Sequence, residues 1–96
     1  NGKQKYTAIK NAEVGISDRL IRVFRDAVIK VDYAQNMIVI KTHNGMGMAV
    51  AVAVDNMQNT DILGSIAGDD TVFCVARTHN QAVEFIQKLN KIMNAD

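Results

Sequence analysis

The sequence predicts a two-layer α+β domain: a four-stranded, mainly antiparallel sheet with two main helices on one face, in the order ββαββα, with a short N-terminal helix before it. Three observations carry this. Four runs rich in β-forming residues fall into two pairs, each closed by a short turn segment. A helix-compatible segment follows each pair. The length of 96 residues suits one domain, which at that size buries roughly 60–65% of the surface its unfolded chain exposes.

Residues 1–14 are polar and lack a sustained apolar period, so they read as a linker or arm ahead of a domain over 15–96. Position 1 is not an initiator methionine, and the chain is expected to be a fragment or processed product. Ser17 is a fair N-cap for a short helix through residue 25, with Leu20, Ile21, Val23 and Phe24 as its apolar positions and Asp18 in its first turn. Residues 28–33 and 37–42 are strand-formers joined through Ala34, Gln35 and Asn36, a hairpin. The segment 45–57 is ambiguous, because residues 49–54 alternate Ala and Val. That alternation is one of size and not of polarity, which favours a helix buried nearly all round. A domain this small can hardly enclose such a helix, so part of it is expected to face another subunit. Residues 62–67 and 71–77 form a second hairpin across Gly68-Asp69-Asp70, residue types that tolerate a tight turn. Thr78 and Gln81 then have capping-box spacing. The last helix follows, with Val83, Ile86, Leu89 and Met93 as its stripe and Glu84, Lys88 and Lys91 toward water. The two halves share a ββα plan without a residue-level repeat.

Composition narrows the class. With 48% hydrophobic and 22% charged residues the chain is globular and not disordered or fibrous. Its longest uncharged apolar stretch, 45–54, is too short to span a bilayer, which takes about 20 residues, and lies mid-chain where no secretory leader would sit. The lone Cys74 cannot form an internal disulfide, which favours a reducing cytoplasm. Within its apolar run Cys74 reads as a buried core thiol, against the alternative of a catalytic nucleophile. The net charge of +1 decides nothing about nucleic acid. Its distribution says more: Lys3, Lys5, Lys10, Arg19, Arg22, Arg25 and Lys30 crowd the first third, and the rest is acidic. That is either a solvated tail and helix face or a segment leading toward a basic neighbour.

Gly68-Asp69-Asp70 is the sharpest local feature, since adjacent carboxylates at a turn project negative charge into a small volume. Three readings compete: a solvated Asp-rich turn, a magnesium site of the kind polymerases build on Gly-Asp-Asp hairpins, or recognition of a guanidinium or ammonium group by charge-assisted hydrogen bonds. Magnesium would want further oxygen ligands and a nucleotide-binding scaffold for which this chain is too short. His43 and His79 stand at element boundaries without Cys or carboxylate at zinc spacing, and no metal is expected. No hydrolase, Walker or dinucleotide pattern is present and no base is placed beside Ser17, Ser65 or Cys74, so no enzyme is expected. Sequence-specific nucleic-acid binding by this segment is also disfavoured, with aromatics at 5% and an acidic structured part.

The run Ile62-Leu63-Gly64-Ser65-Ile66-Ala67-Gly68-Asp69-Asp70-Thr71-Val72-Phe73 resembles the signature of arginine repressor C-terminal domains, a Gly-Thr-Ile-Ala-Gly-Asp-Asp-Thr stretch before an apolar strand. The upstream hairpin around Val31-Asp32 and Met37-Ile38-Val39, and Asp55 near the end of the preceding helix, extend the resemblance over roughly residues 28–93. It implies a transcriptional regulator of arginine metabolism whose domain forms trimers that pair into hexamers. L-arginine would be co-repressor between the trimers, operator DNA would be held through an N-terminal domain missing from this chain, and no membrane would be involved. By position, the resemblance implies that Asp69 and Asp70 hold the guanidinium or α-ammonium group and that Asp55 adds a third carboxylate. Ser65 would keep the hydroxyl of the family threonine, and Ala67 would line the pocket. One stretch departs from the pattern. Where the family has Pro-Gly-x-x-Gln, this chain has Asn44-Gly45-Met46-Gly47-Met48, and Met48 can pack on a ligand stem but offers no strong hydrogen bond. The alternative implied is an arginine-independent oligomerisation module of a divergent paralogue.

Overall fold

The computed structural model describes residues 18–94. Expectations for the arm over 1–14 and for Ser17 as a cap lie outside that range. The elements are α1 (Asp18–Ala27), β1 (Val28–Ala34), β2 (Met37–Thr42), α2 (Gly47–Asn56), β3 (Ile62–Ala67), β4 (Thr71–Ala76) and α3 (His79–Asn94). The four strands form one antiparallel sheet in the order β1-β2-β4-β3, the two-layer α+β arrangement that the sequence predicts. Each hairpin is local, and the seam between β2 and β4 joins the two halves. The first turn is a residue shorter than expected, because Ala34 stays paired with Met37 and the chain reverses over Gln35 and Asn36. Gln35 takes a left-handed φ of 57° there, and Asn36 Nδ2 donates to the Ala76 carbonyl at 3.0 Å, tying the turn to the end of β4.

The inner face of the sheet presents Ile38, Ile40 and Thr42 from β2 and Val72, Cys74 and Ala76 from β4, all buried. On them lie Val50, Ala53 and Val54 of α2 and Ala82, Phe85, Leu89 and Ile92 of α3, with Phe24 and Ala27 of α1 closing the core. One sequence reading needs correction. The stripe of α3 runs through Ala82, Phe85, Ile86, Leu89 and Ile92, whereas Val83 and Met93 sit half-buried at its margin, because the helix packs one residue further round than the larger side chains suggested. The ambiguous segment is a helix, and it is one its own chain does not enclose: Gly47, Val50, Ala51, Ala53 and Val54 of α2 face inward while Met48, Ala49 and Val52 are exposed. A helix lying on a single sheet has nothing in its own chain to cover its back.

The outer face of the sheet is apolar as well. Register puts Met37 opposite Val75, and Phe73 opposite both Val39 and Ile66, all pointing away from the helices. Phe73 and Ile66 remain 50% and 77% exposed, more than a solvated sheet face would ordinarily tolerate in residues so large.

Cys74 is the buried core thiol the sequence suggested, with no exposed surface. Burial first, and the negative charge of Asp55 second, push its pKa from 9.0 up to about 12. The folded state therefore holds this proton more tightly than the unfolded chain does. The stabilisation is fully present below pH 9 and is lost as pH rises toward about 12, at ~1.4 kcal/mol per pH unit within that window. Urea midpoints of the parent should thus fall faster with alkaline pH than those of Cys74→Ala. Parallel curves would show that the thiol ionises freely in the fold.

Candidate functional site

The Gly68-Asp69-Asp70 turn is clamped by its backbone. Gly68 N donates to the Thr71 carbonyl at 2.7 Å and closes the turn, the Asp69 carbonyl accepts from Gly47 N at 3.0 Å, and the Asp70 carbonyl accepts from Thr42 N at 2.8 Å. The turn is thereby seated on the start of α2 and the end of β2. The approach at Gly47 is so close that a Cβ there would overlap the Gly68 carbonyl oxygen. With the main chain occupied, the two carboxylates are left to project outward. Asp69 is exposed and, among the described residues, its side chain has no hydrogen bond or ion pair. Asp70 Oδ1 accepts from Thr71 Oγ1 at 3.0 Å and stands 3.9 Å from Lys41 Nζ, which donates to the same hydroxyl at 2.7 Å. Both charged partners are about half exposed, so this pair contributes at most about 1 kcal/mol. Its effect is to orient Asp70 through one oxygen and leave the other available.

The remaining candidates fall into two groups. Ala67, half-buried, precedes the turn, and Met48, 66% exposed, follows Gly47 on the open back of α2, so both belong near the Asp pair. Asp55 and Ser65 stand together elsewhere: Ser65 Oγ donates to Asp55 Oδ1 at 3.2 Å. Asp55 lies eight residues beyond Gly47 on α2, roughly 12 Å along the axis, and edges a surface cleft of about 360 Å³ that also involves Gln58, Thr60, Ile62 and Leu63. Within one chain the three carboxylates therefore make two cation-attracting stations, linked by the exposed stripe Met48, Val52 and Asp55 at helical spacing. Sequence reading missed Lys41, Thr71 and Gly47. Lys41 meets Thr71 only through the β2–β4 register, a long-range pairing, and the need for Gly47 arises from a turn more than twenty residues away.

No group of three His, Cys, Asp or Glu side chains is placed to hold a metal ion among the described residues. His79 is engaged otherwise, with Nδ1 at 3.0 Å from the Gln35 carbonyl and its ring tilted against Tyr33 at 5.6 Å. No helix among these residues is long and apolar enough to cross a membrane. What the arrangement offers chemically is carboxylate oxygens, held by a fixed backbone and open to a cation.

The model of the "Arginine repressor, C-terminal domain" family matches residues 24–91. Among curated proteins, the arginine repressor of Lachnoclostridium phytofermentans is 46% identical over 96 residues, covering all of this chain and 63% of the relative. That of Alkaliphilus oremlandii is 42% identical over 93 residues, 97% of this chain and 62% of the relative. That of Acetivibrio thermocellus is 42% identical over 96 residues, again the whole chain and 63% of the relative. The chain thus spans somewhat under two thirds of the relatives it matches. The clamped Gly-Asp-Asp turn, the ββαββα order and these matches converge: the chain belongs to the arginine repressor family, where it corresponds to the C-terminal domain.

Proposed function

We propose that this domain is the effector-sensing and self-assembling part of a cytoplasmic transcriptional regulator of arginine metabolism. It forms trimers that pair into hexamers, takes L-arginine as co-repressor between the trimers, and leaves operator DNA to an N-terminal domain preceding residues 1–14. The reading is of a regulatory binding module with no chemical step and no metal. The observation that carries it is the Asp69-Asp70 turn, whose main chain is fixed at both neighbours while its carboxylates face outward. L-arginine has cationic groups at both ends, and carboxylates suit each of them. The separation of Asp55 from the turn supports a site completed between chains, since one small molecule can be clasped by the turn of one protomer and the Asp55 station of another. The apolar outer sheet face and the exposed back of α2 supply surface for self-association. Arginine then shifts assembly by as much as it prefers the hexamer over separate trimers.

Titration calorimetry with L-arginine, paired with sedimentation, tests this. Asp70→Asn is expected to weaken binding by about 2 kcal/mol, roughly 30-fold, the scale of a lost charge-assisted hydrogen bond. A second reading is favoured by one observation, the exposed Met48 at the position of the family glutamine. It makes the domain an arginine-independent oligomerisation module of a divergent paralogue. A hexamer that gives no heat with millimolar arginine selects it, and a monomer at micromolar concentration sinks both.

A further inference from the structure

Asn44 and Gly45 lead from β2 into α2 as an exposed turn in which Gly45 has φ of 80°. Their neighbours are tied: His43 N donates to the Ala27 carbonyl at 2.9 Å, Met46 N to the His43 carbonyl at 3.0 Å, and Gly47 N to the Asp69 carbonyl at 3.0 Å. Between these anchors, neither the Asn44 side chain nor the Gly45 amide has a hydrogen bond among the described residues. An asparagine amide carbon can be attacked by the next backbone nitrogen through a five-membered ring, and glycine obstructs that approach least because it has no Cβ and bends freely. The other asparagines between residues 18 and 94 are restrained. Asn36 donates to the Ala76 carbonyl and precedes Met37. Asn59 Oδ1 accepts from Asp61 N at 2.9 Å and precedes the β-branched Thr60. Asn56, Asn80, Asn90 and Asn94 are helical.

We propose that Asn44 is a site of spontaneous deamidation in the folded protein, and that the change is transmitted to the Asp69-Asp70 turn two anchors away. Gly45 N bonds to Cγ of Asn44, the Cγ–Nδ2 bond breaks, and the nitrogen leaves as ammonia carrying the proton that Gly45 N gave up. Water then opens the ring at one of its two carbonyls, yielding aspartate or isoaspartate with no change of oxidation state. Either product adds one negative charge ahead of the N-terminus of α2, where the helix dipole receives it well. The isoaspartyl product also lengthens the main chain by one carbon. Gly47 has no slack against Gly68, so this insertion displaces the start of α2 and breaks the Gly47–Asp69 clamp, whereas the aspartyl product keeps it.

The test holds the purified folded chain in mildly alkaline buffer at body temperature for days and follows the amide-to-acid mass gain by peptide mapping, which separates Asn44 from the second Asn-Gly pair at Asn1-Gly2. Gain at Asn44 well ahead of Asn36 and Asn59, and absent in Asn44→Gln, is the expected result. Asn44 staying as intact as Asn36, or reacting only in urea, overturns the assignment. Hydrogen exchange at the Gly47 amide tests the transmission: protection is expected to persist in fresh protein and in Asn44→Asp and to vanish in the isoaspartyl fraction. Protection retained in that fraction overturns the link to the turn. Neither readout depends on arginine, so both stand apart from the effector reading above.

Discussion

Replacing Gly47 with alanine is expected to lower the stability of the domain by about 3 kcal/mol, combining forced overpacking with a lost hydrogen bond from a buried amide. The added Cβ meets not a flexible side chain but the Gly68 carbonyl oxygen, with the Asp69 carbonyl oxygen also close at 3.2 Å. Helical propensity alone would make alanine the better residue there by up to about 1 kcal/mol, so even the sign of the effect tests the packing. Either the start of α2 or the Gly68-Asp69-Asp70 turn must move, and the Gly47–Asp69 hydrogen bond lies between them. A thermal melt followed by circular dichroism should show a midpoint lower by roughly 15 °C, at 4–8 °C per kcal/mol for a domain this size. Any arginine affinity should fall with it. A variant as stable as the parent would show that helix and turn are not in contact.

Phe85→Ala should cost about 4 kcal/mol, within the range for emptying an aromatic site in a packed core. The ring is 2% exposed and belongs to the cluster in which α3 covers Ile38, Ile40, Val72 and Cys74. A chain of this length has a total stability of roughly 5–14 kcal/mol, so the variant should keep roughly 1–10 kcal/mol and stay mostly folded at room temperature, with a clearly lowered midpoint. Chemical denaturation of the two proteins side by side measures the loss, and a difference below about 1 kcal/mol would remove Phe85 from the core.

What could be read without coordinates follows from how local the information is. Strands β2 and β3 carry their own propensity, and Gly68-Asp69-Asp70 marks its turn with residue types that tolerate a tight reversal, so sequence places these correctly. Thr78 caps α3 as its spacing suggests, its hydroxyl accepting from Gln81 N at 3.1 Å. The reciprocal half of that capping box is not made, because Gln81 Nε2 turns to Asp61 Oδ1 at 3.0 Å and fastens the α2–β3 loop instead. Nothing local announces that choice. Chain length shows that α2 cannot be enclosed by its own domain, but not which face stays open, because an apolar helix looks the same in sequence whether its own chain or another covers it. The carboxylates at 69 and 70 were legible as a motif, but Lys41 as the cation beside Asp70 was not, since the two are brought together by strand register and not by spacing.

That register has a consequence for how the domain comes together. Each hairpin needs only neighbouring residues to zip, while the β2–β4 seam must wait for a long loop containing α2 to close. The bonds from Thr42 to Asp70 and from Gly47 to Asp69 both cross from the first half of the chain to the second. The acidic turn closes within its own hairpin through Gly68 and Thr71, but it is seated on β2 and α2 only when the halves have docked. Both bonds wait on the same closure, so the seating of the turn marks a finished fold.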